Sequence, residues 1–497
     1  MRSARTRDLL VVGGGTAGLV AAHTAALLGA RVTLVERGRL GGDCLWTGCV
    51  PSKALLAAAH SAAQARSAAR FGVHVDGVRV DTRAVLAHVR SAIATIEPAD
   101  DAASLQRAGV EVLLGNAVLT GPGRAAVDGR DVPWRRLLLA TGSRPAVPDL
   151  PGLSDRSQEP GAPHLLTSDT VWDLETLPDR VVVLGGGAIG CELGQAMARL
   201  GSTVTLVEPL PRLLAREDPD ASALVHAALA ADGVEVLTGW TATAAGTGAI
   251  TLRAAGRDGQ GRTVPCDAVL VATGRRPRTQ GLGLAEGGVE VDDRGYLRVD
   301  ARLRTTAPHV WAAGDVTGHP AFTHVAGIHA SIAASNAVLG LRRTVDLSAV
   351  PRVTYTDPEV AAVGAPTWAE EGADDGPAPR TVTRGHDHVD RAIAEGRTEG
   401  FARLALGPRG RITGATVVGP RAGETLAELT LAVRTGLRTA DLAGTTHPYP
   451  TYGDGPWNAA LDDVRARLGG AGVRAVTRAA VLARRLPPAR SRPGGAG

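Results

Sequence analysis

No apolar stretch in this chain approaches the ~20 residues that a membrane-spanning helix needs. The opening MRSARTRD runs at once into the strand-like LLVV and a glycine cluster. That leaves no room for the apolar region and cleavage site of a signal peptide, so the cytoplasm is the expected compartment. Only four cysteines occur in 497 residues, too few for a disulfide scaffold; two that pair in a reducing compartment read as catalytic rather than structural. Aromatic residues make up only 3%, so each one that falls inside a motif is informative. Lysine is scarcer still: of 54 basic residues, Lys53 alone is not arginine. Composition drift accounts for the arginines but not for the one position that stayed lysine, where a compact ammonium offers what a guanidinium cannot.

Acidic residues are missing from Gly469 to Gly497, where six arginines stand (Arg474, Arg478, Arg484, Arg485, Arg490, Arg492). Taking their +6 from the net charge of +4 leaves the rest of the chain at −2. The basic character therefore belongs to the tail, and the body gives no sign of nucleic-acid binding. What remains is ordinary for a globular protein, with 44% hydrophobic and 21% charged residues and length for two to four domains at about 100–200 residues each.

Two segments share one pattern of strand, glycine turn, helix and strand. The first runs from Leu9–Val12 through Gly13, Gly15 and Gly18 to Val32–Glu36; the second from Val181–Leu184 through Gly185, Gly187 and Gly190 to Val204–Glu208. Two βαβ units are an internal duplication and predict two doubly wound domains. Within each G-x-G-x-x-G turn, glycines let the backbone approach a pyrophosphate seated on the N-terminus of the next helix. Each second strand ends in an acid, Glu36 or Glu208, which accepts a hydrogen bond from a ribose hydroxyl and repels a 2′-phosphate. Glu208 thus favours NADH over NADPH, with Arg212 as a softening influence. Three further runs, ending at Gly142, Gly274 and Gly314-Asp315, read as buried strands feeding tight turns. Beyond Pro351 the pattern shifts to alternating strands (Ala402–Leu406, Ile412–Val418) and a helix over about 424–435, the signature of a separate α+β unit.

The segment Gly41-Gly42-Asp43-Cys44-Leu45-Trp46-Thr47-Gly48-Cys49-Val50-Pro51-Ser52-Lys53 places two cysteines five apart before an alanine-rich helix, with the only lysine immediately after. Adjacent helical turns bring such a pair within disulfide reach, and the positive end of the helix dipole stabilises a thiolate. Cys191 and Cys266 read as core residues.

With these motifs in view, the chain resembles the FAD-dependent class I pyridine nucleotide–disulfide oxidoreductases, the family of glutathione reductase, dihydrolipoamide dehydrogenase and mercuric reductase. The resemblance runs from Asp8 to about Asp454 through GGGTAG, GGDCLWTGCVPSK, LLLATGSRP, GGGAIGCE, VATGRRP, AAGDVTG, FTHVA and YTDPEVAAVG. It implies an α/β fold: two Rossmann-like doubly wound dinucleotide-binding domains plus a C-terminal α+β dimerisation domain. The implied boundaries are 1–160 and 278–348 for an FAD domain split around an NAD(P) domain at 161–277, then a dimerisation domain at 349–468; by its composition 469–497 reads as a basic tail, disordered after its amphipathic stretch.

The resemblance also implies roles. Electrons pass from NAD(P)H through FAD to a redox-active Cys44–Cys49 disulfide, with Cys49 beside the flavin and Cys44 meeting the acceptor. Lys53 stands near the flavin, paired with Glu192; a reduced flavin is anionic, so an ammonium stabilises it and a carboxylate keeps that ammonium charged. Gly13, Gly15, Gly18, Glu36, Lys53, Gly142 and Asp315 serve FAD; Gly185, Gly187, Gly190, Glu208 and Gly274 serve NAD. His324 in FTHVA reads as a packing residue.

One segment departs from the pattern. Thiol–disulfide members carry HxHPT with a glutamate five residues past the second histidine, the acid–base that reaches across the dimer. Here the segment is His447-Pro448-Tyr449-Pro450-Thr451-Tyr452-Gly453-Asp454. Tyr449 replaces the histidine, and Asp454 replaces the glutamate. With a pKa near ~10, tyrosine is a poor proton shuttle at neutral pH. His447, on the same face if the chain is extended, remains as a displaced base. A tyrosine here is similar to mercuric reductase, and two thiolates five apart suit a soft metal ion. The expected acceptor is therefore a soft metal ion, a small disulfide or a quinone. Dihydrolipoamide dehydrogenase is the enzymatic alternative, and a homodimeric FAD-binding redox sensor or scaffold the non-enzymatic one. His386-Asp387-His388 reads as a solvated turn without a third metal ligand. The amphipathic stretch Val473–Leu486 lacks the aromatic anchor that membrane contact favours.

Overall fold

The structure, a computed structural model, describes residues 6–153, 162–255, 261–368 and 380–485. It divides into two compact units. One takes in residues up to Arg216, 225–347 and 354–356; the other takes in 217–224, 348–353 and the chain from Asp357 on. The boundary expected at 160/161 and the arginines Arg490 and Arg492 lie outside the described residues.

The first unit holds two five-stranded parallel sheets built alike. In one, the order is Val310–Ala312, Leu137–Leu139, Leu9–Val12, Val32–Glu36 and Val110–Leu114. In the other it is Glu235–Thr238, Thr203–Glu208, Arg180–Leu184, Ala268–Val271 and His164–Thr167. The central strands are buried end to end, as strands covered on both faces must be. Val310–Ala312 completes the first sheet although it follows every strand of the second in sequence. Helices Thr16–Leu27 and Thr323–Leu339 cover the first sheet through Ala21, Ala25, Ala330 and Ala333; small side chains let them lie close. The strands Ser143–Pro145 and Arg275–Pro277 pair antiparallel and join the ends of the two glycine-terminated runs.

The second unit is a mainly antiparallel sheet in the order Arg352–Thr354, Glu359–Gly364, Ile412–Gly419, Phe401–Leu406 and Arg380–Gly385. Helices Ala422–Thr435 and Asp454–Leu468 cover it through Leu426, Leu429, Ala459 and Ala460. The fold is thus α/β with two doubly wound halves followed by an α+β unit. The amphipathic stretch read at Val473–Leu486 forms helix Ala471–Arg485, because its alanines favour a helix; the Pro/Gly/Arg-rich sequence after it lies outside the described residues. Among the described residues no helix is long and apolar enough to cross a membrane.

Candidate active site

Both glycine turns are built by the same backbone contact. A Cβ on Gly18 would lie 1.8 Å from the carbonyl oxygen of Gly13, and one on Gly190 would lie 1.9 Å from that of Gly185. Only glycine lets each helix start so close to its strand. Helices Thr16–Leu27 and Ala188–Arg199 are N-capped by Gly15 and Gly187 in extended conformation, with no side chain on the cap. Their first N–H groups therefore face outward, the donor set a pyrophosphate takes, and the space beside Gly187 is open. These turns fit a dinucleotide at each site. The two acids brace the turns: Glu36 accepts from the N–H groups of Gly14 (2.6 Å) and Gly38 (2.7 Å), and Glu208 from those of Gly186 (2.6 Å) and Leu210 (2.8 Å). Arg212 donates to the carbonyls of Leu214 and Ala215.

The cysteine segment packs directly on the first turn. Gly42 has φ +57°, and a Cβ there would stand 2.5 Å from the Cα of Gly15. Cys44 lies in the short helix Gly42–Trp46, and Cys49 is the first residue of helix Cys49–Ser67. Both thiols are free, so the structure presents the reduced form of the pair rather than the disulfide. The Cys44 thiol hydrogen-bonds to the Cys49 sulfur, which holds Cys44 protonated; burial pushes it further the same way. That bond lowers Cys49 to about 6, helped by the Thr323 hydroxyl and the Lys53 ammonium. Thr323 Oγ1 is 3.2 Å from Cys49 Sγ and opens helix Thr323–Leu339, so the exposed Cys49 sulfur meets the N-terminal ends of two long helices. Thr323 sits beside His324 in FTHVA. Sequence reading chose His324, which is exposed and stacks on Phe322.

Lys53, one turn into the same helix, reaches Glu192: Nζ to Oε2 is 2.8 Å, with side-chain exposures of 40% and 8%. The other Glu192 oxygen accepts the Tyr355 N–H at 2.9 Å, and the Lys53 ammonium lies 4.1 Å from the centre of the Tyr355 ring.

A polar network joins four of the quoted motifs. Arg275 pairs with Asp43 and donates to Ser143 Oγ at 2.6 Å. Ser143 in turn donates to Asp315 Oδ2 at 2.6 Å, and the Arg275 and Asp315 charges are 3.8 Å apart. Burial raises Asp43 against the pull of Arg275. Gly142 (φ +69°) and Gly274 (φ +133°) turn the chain just before Ser143 and Arg275. Asp315 opens a short 3-10 turn. Sequence reading singled out the glycines and Asp315 but missed Asp43, Ser143 and Arg275, although each lies inside a motif it quoted.

In the second unit the segment around Tyr449 forms no strand, and its two candidates have different partners. The Tyr449 hydroxyl donates to Asp390, which raises its pKa. His447 contacts Glu428 through Nε2 at 3.0 Å. Asp454 is buried; it opens helix Asp454–Leu468 and accepts the Thr451 N–H at 3.1 Å. The carboxylate beside His447 is therefore Glu428, 19 residues upstream, and nothing in the sequence marked it. His386 is not the solvated residue expected. It is fully buried with neither ring nitrogen hydrogen-bonded, because the turn His386–His388 tucks its first residue against Tyr452. Among the described residues no group of three or more His, Cys, Asp or Glu is placed to hold a metal ion. Cys191 and Cys266 are buried core residues.

The family described as "Pyridine nucleotide-disulphide oxidoreductase" matches residues 7–330, and its "dimerisation domain" matches 350–460. A dihydrolipoyl dehydrogenase of Thermus scotoductus is 38% identical over 467 residues, covering 92% of this chain and 97% of that protein. A mercuric reductase of Streptomyces lividans is 36% identical over 470 residues, covering 90% and 94%. The crystal structure of LpdA from Mycobacterium tuberculosis superposes with a TM-score of 0.80 at 30% identity over 91% of this chain and 99% of that one.

Proposed function

We propose that this chain, which belongs to the pyridine nucleotide-disulphide oxidoreductases and is an FAD-dependent homodimeric enzyme of that family, draws electrons from NADH and delivers them through Cys49 and Cys44 to a soft metal ion. The observation that carries this reading is the cysteine pair itself: a thiol held protonated at Cys44 beside a thiolate at Cys49, with the Lys53–Glu192 pair on the same helix. FAD held at the first glycine turn, Gly13–Gly18, would supply a two-electron carrier between nicotinamide and the cysteine sulfurs. The chain's residues do the rest. Cys49 holds negative charge, Lys53 supplies the compensating ammonium, and Cys44 keeps the proton.

The second unit supports the choice of acceptor. Reducing a disulfide substrate requires a proton for the departing thiolate, and Tyr449, fixed on Asp390 with its pKa raised, does not supply one near neutrality. A soft divalent cation displaces the Cys44 proton to solvent as it binds both sulfurs, and the two thiolates reduce it as the Cys44–Cys49 disulfide re-forms, so no proton has to be supplied to a departing group. The mercuric reductase relative supports this choice. NADH is preferred because the Glu208 carboxylate is fixed at the strand end where a 2′-phosphate must sit, and a cysteine pair that cycles between dithiol and disulfide suits a reducing compartment such as the cytoplasm.

His447–Glu428 favours a second reading, a dihydrolipoamide dehydrogenase with a displaced base, since a histidine held by a carboxylate is a competent proton shuttle. The test is NADH oxidation with mercuric ion, lipoamide and a small quinone as separate acceptors. Mercuric-dependent turnover lost in both Cys44→Ser and Cys49→Ser is expected. Fast lipoamide turnover that disappears in His447→Ala establishes the second reading instead.

A further inference from the structure

Around Lys53 one residue makes two contacts that the redox reading does not use. Tyr355 donates its backbone N–H to Glu192 Oε1 at 2.9 Å, while Lys53 holds Oε2 at 2.8 Å. The Tyr355 ring meanwhile presents its face to the Lys53 ammonium, 4.1 Å from the ring centre. Ammonium, carboxylate and ring close a triangle. Each member fixes the other two.

Such a clamp answers a physical problem. Lysine hangs its charge on four rotatable bonds, and a pair as open to water as this one, with Lys53 40% exposed, orders that stem only weakly. A ring face attracts the cation without competing for the carboxylate's lone pairs and without altering its charge. The Tyr355 N–H also keeps the Glu192 carboxylate from rotating away. We propose that Tyr355 is a positioning residue of the redox centre: its ring and its backbone N–H together hold the Lys53 ammonium at the place where reduced flavin needs a counter-charge. The inference rests on the reading that Cys44, Cys49 and Lys53 serve a bound flavin.

Because Lys53 is the only lysine, an amine-acylating reagent with peptide mass analysis reads its environment directly. Tyr355→Leu keeps the backbone N–H and removes only the ring. In the FAD-loaded protein, acylation of Lys53 is expected to rise about two- to fivefold, the range of a part-exposed cation–π contact. The equilibrium constant for two-electron reduction is expected to fall by a similar factor, which is about 10–20 mV. Tyr355→Phe should restore both values to within about twofold of wild type. Tyr355→Met, which also lacks a ring, gives the same comparison if the leucine variant does not fold. Unchanged acylation and potential in a ring-less variant overturn the inference, as does a phenylalanine variant that behaves like leucine. A wild-type protein that binds no FAD, or whose FAD takes no electrons from NADH, sinks the redox reading instead; the acylation comparison still judges the Tyr355 clamp, since it needs no electron transfer.

Discussion

Replacing Thr323 by valine removes one hydroxyl and almost no volume, which isolates its bond to Cys49. Only the thiolate is alkylated, so the rate of iodoacetamide modification at Cys49 should rise with pH and reach half its plateau at about 6 in the wild-type dithiol. A hydrogen bond to a charged group contributes about 1.5–3 kcal/mol. Because the Cys49 side chain is exposed, solvent screens part of that, and the low end applies. One pKa unit corresponds to about 1.36 kcal/mol, so Thr323→Val should move the midpoint up by about one unit, to about 7. At pH 6 the thiolate fraction then drops from about one half to about one tenth, a roughly fivefold slower reaction, while the rates at pH 9 stay within about twofold. The assay is stopped alkylation of dithiothreitol-reduced protein between pH 5 and 9, with Cys44 and Cys49 resolved by peptide mass. A midpoint that does not move on Thr323→Val refutes the role of that hydroxyl. A wild-type midpoint near ~8.5, where an ordinary cysteine titrates, refutes the whole electrostatic account of the pair.

The two glycine turns should separate the cofactors: Gly18→Ala is expected to yield protein without flavin colour, whereas Gly190→Ala keeps the colour but loses NADH binding in a titration, since each methyl collides with backbone within 2 Å. Exchanging Glu208 for glutamine keeps one acceptor for Gly186 and removes the charge, so the ratio of kcat/KM for NADH over NADPH should fall by about tenfold or more, the scale of one lost charge repulsion; an unchanged ratio shows that the carboxylate does not select. Burial lowers His386 to about 4, below its value in an unfolded chain. The resulting stability is complete above about 6.5 and is lost as pH falls from there towards 4, to a total of about 3 kcal/mol. His386→Leu forfeits no hydrogen bond and should flatten that acid-side decline in the thermal midpoint; a decline as steep as wild type argues against His386 as its source.

Local pattern carried much of this protein's architecture. Glycine spacing, strand-end acids and buried apolar runs are short-range signals, because a βαβ turn is written in about thirty consecutive residues and its geometry tolerates few alternatives at Gly18 or Gly190. The same holds for Cys44, Cys49 and Lys53, whose spacing pointed to a redox pair and a cation without reference to anything distant, although the two cysteines fall on two successive helices rather than one. The departure at Tyr449 was equally visible, since it needed only a comparison of residue types.

What the linear order could not supply were partners brought from afar. Thr323 meets a sulfur 274 positions away, Glu192 and Tyr355 close on a lysine in another helix, and Glu428 meets His447 from 19 residues upstream. His386 looked like a solvated turn residue because nothing near it in sequence shows that the chain folds over it. Charge state and proton affinity depend on burial and on groups within a few ångströms. For Cys49, Asp43 and His386 those neighbours exist only once the sheets are stacked and their covering helices seated, so residue types alone pointed to a chemistry, and folding chose which atom bears the charge.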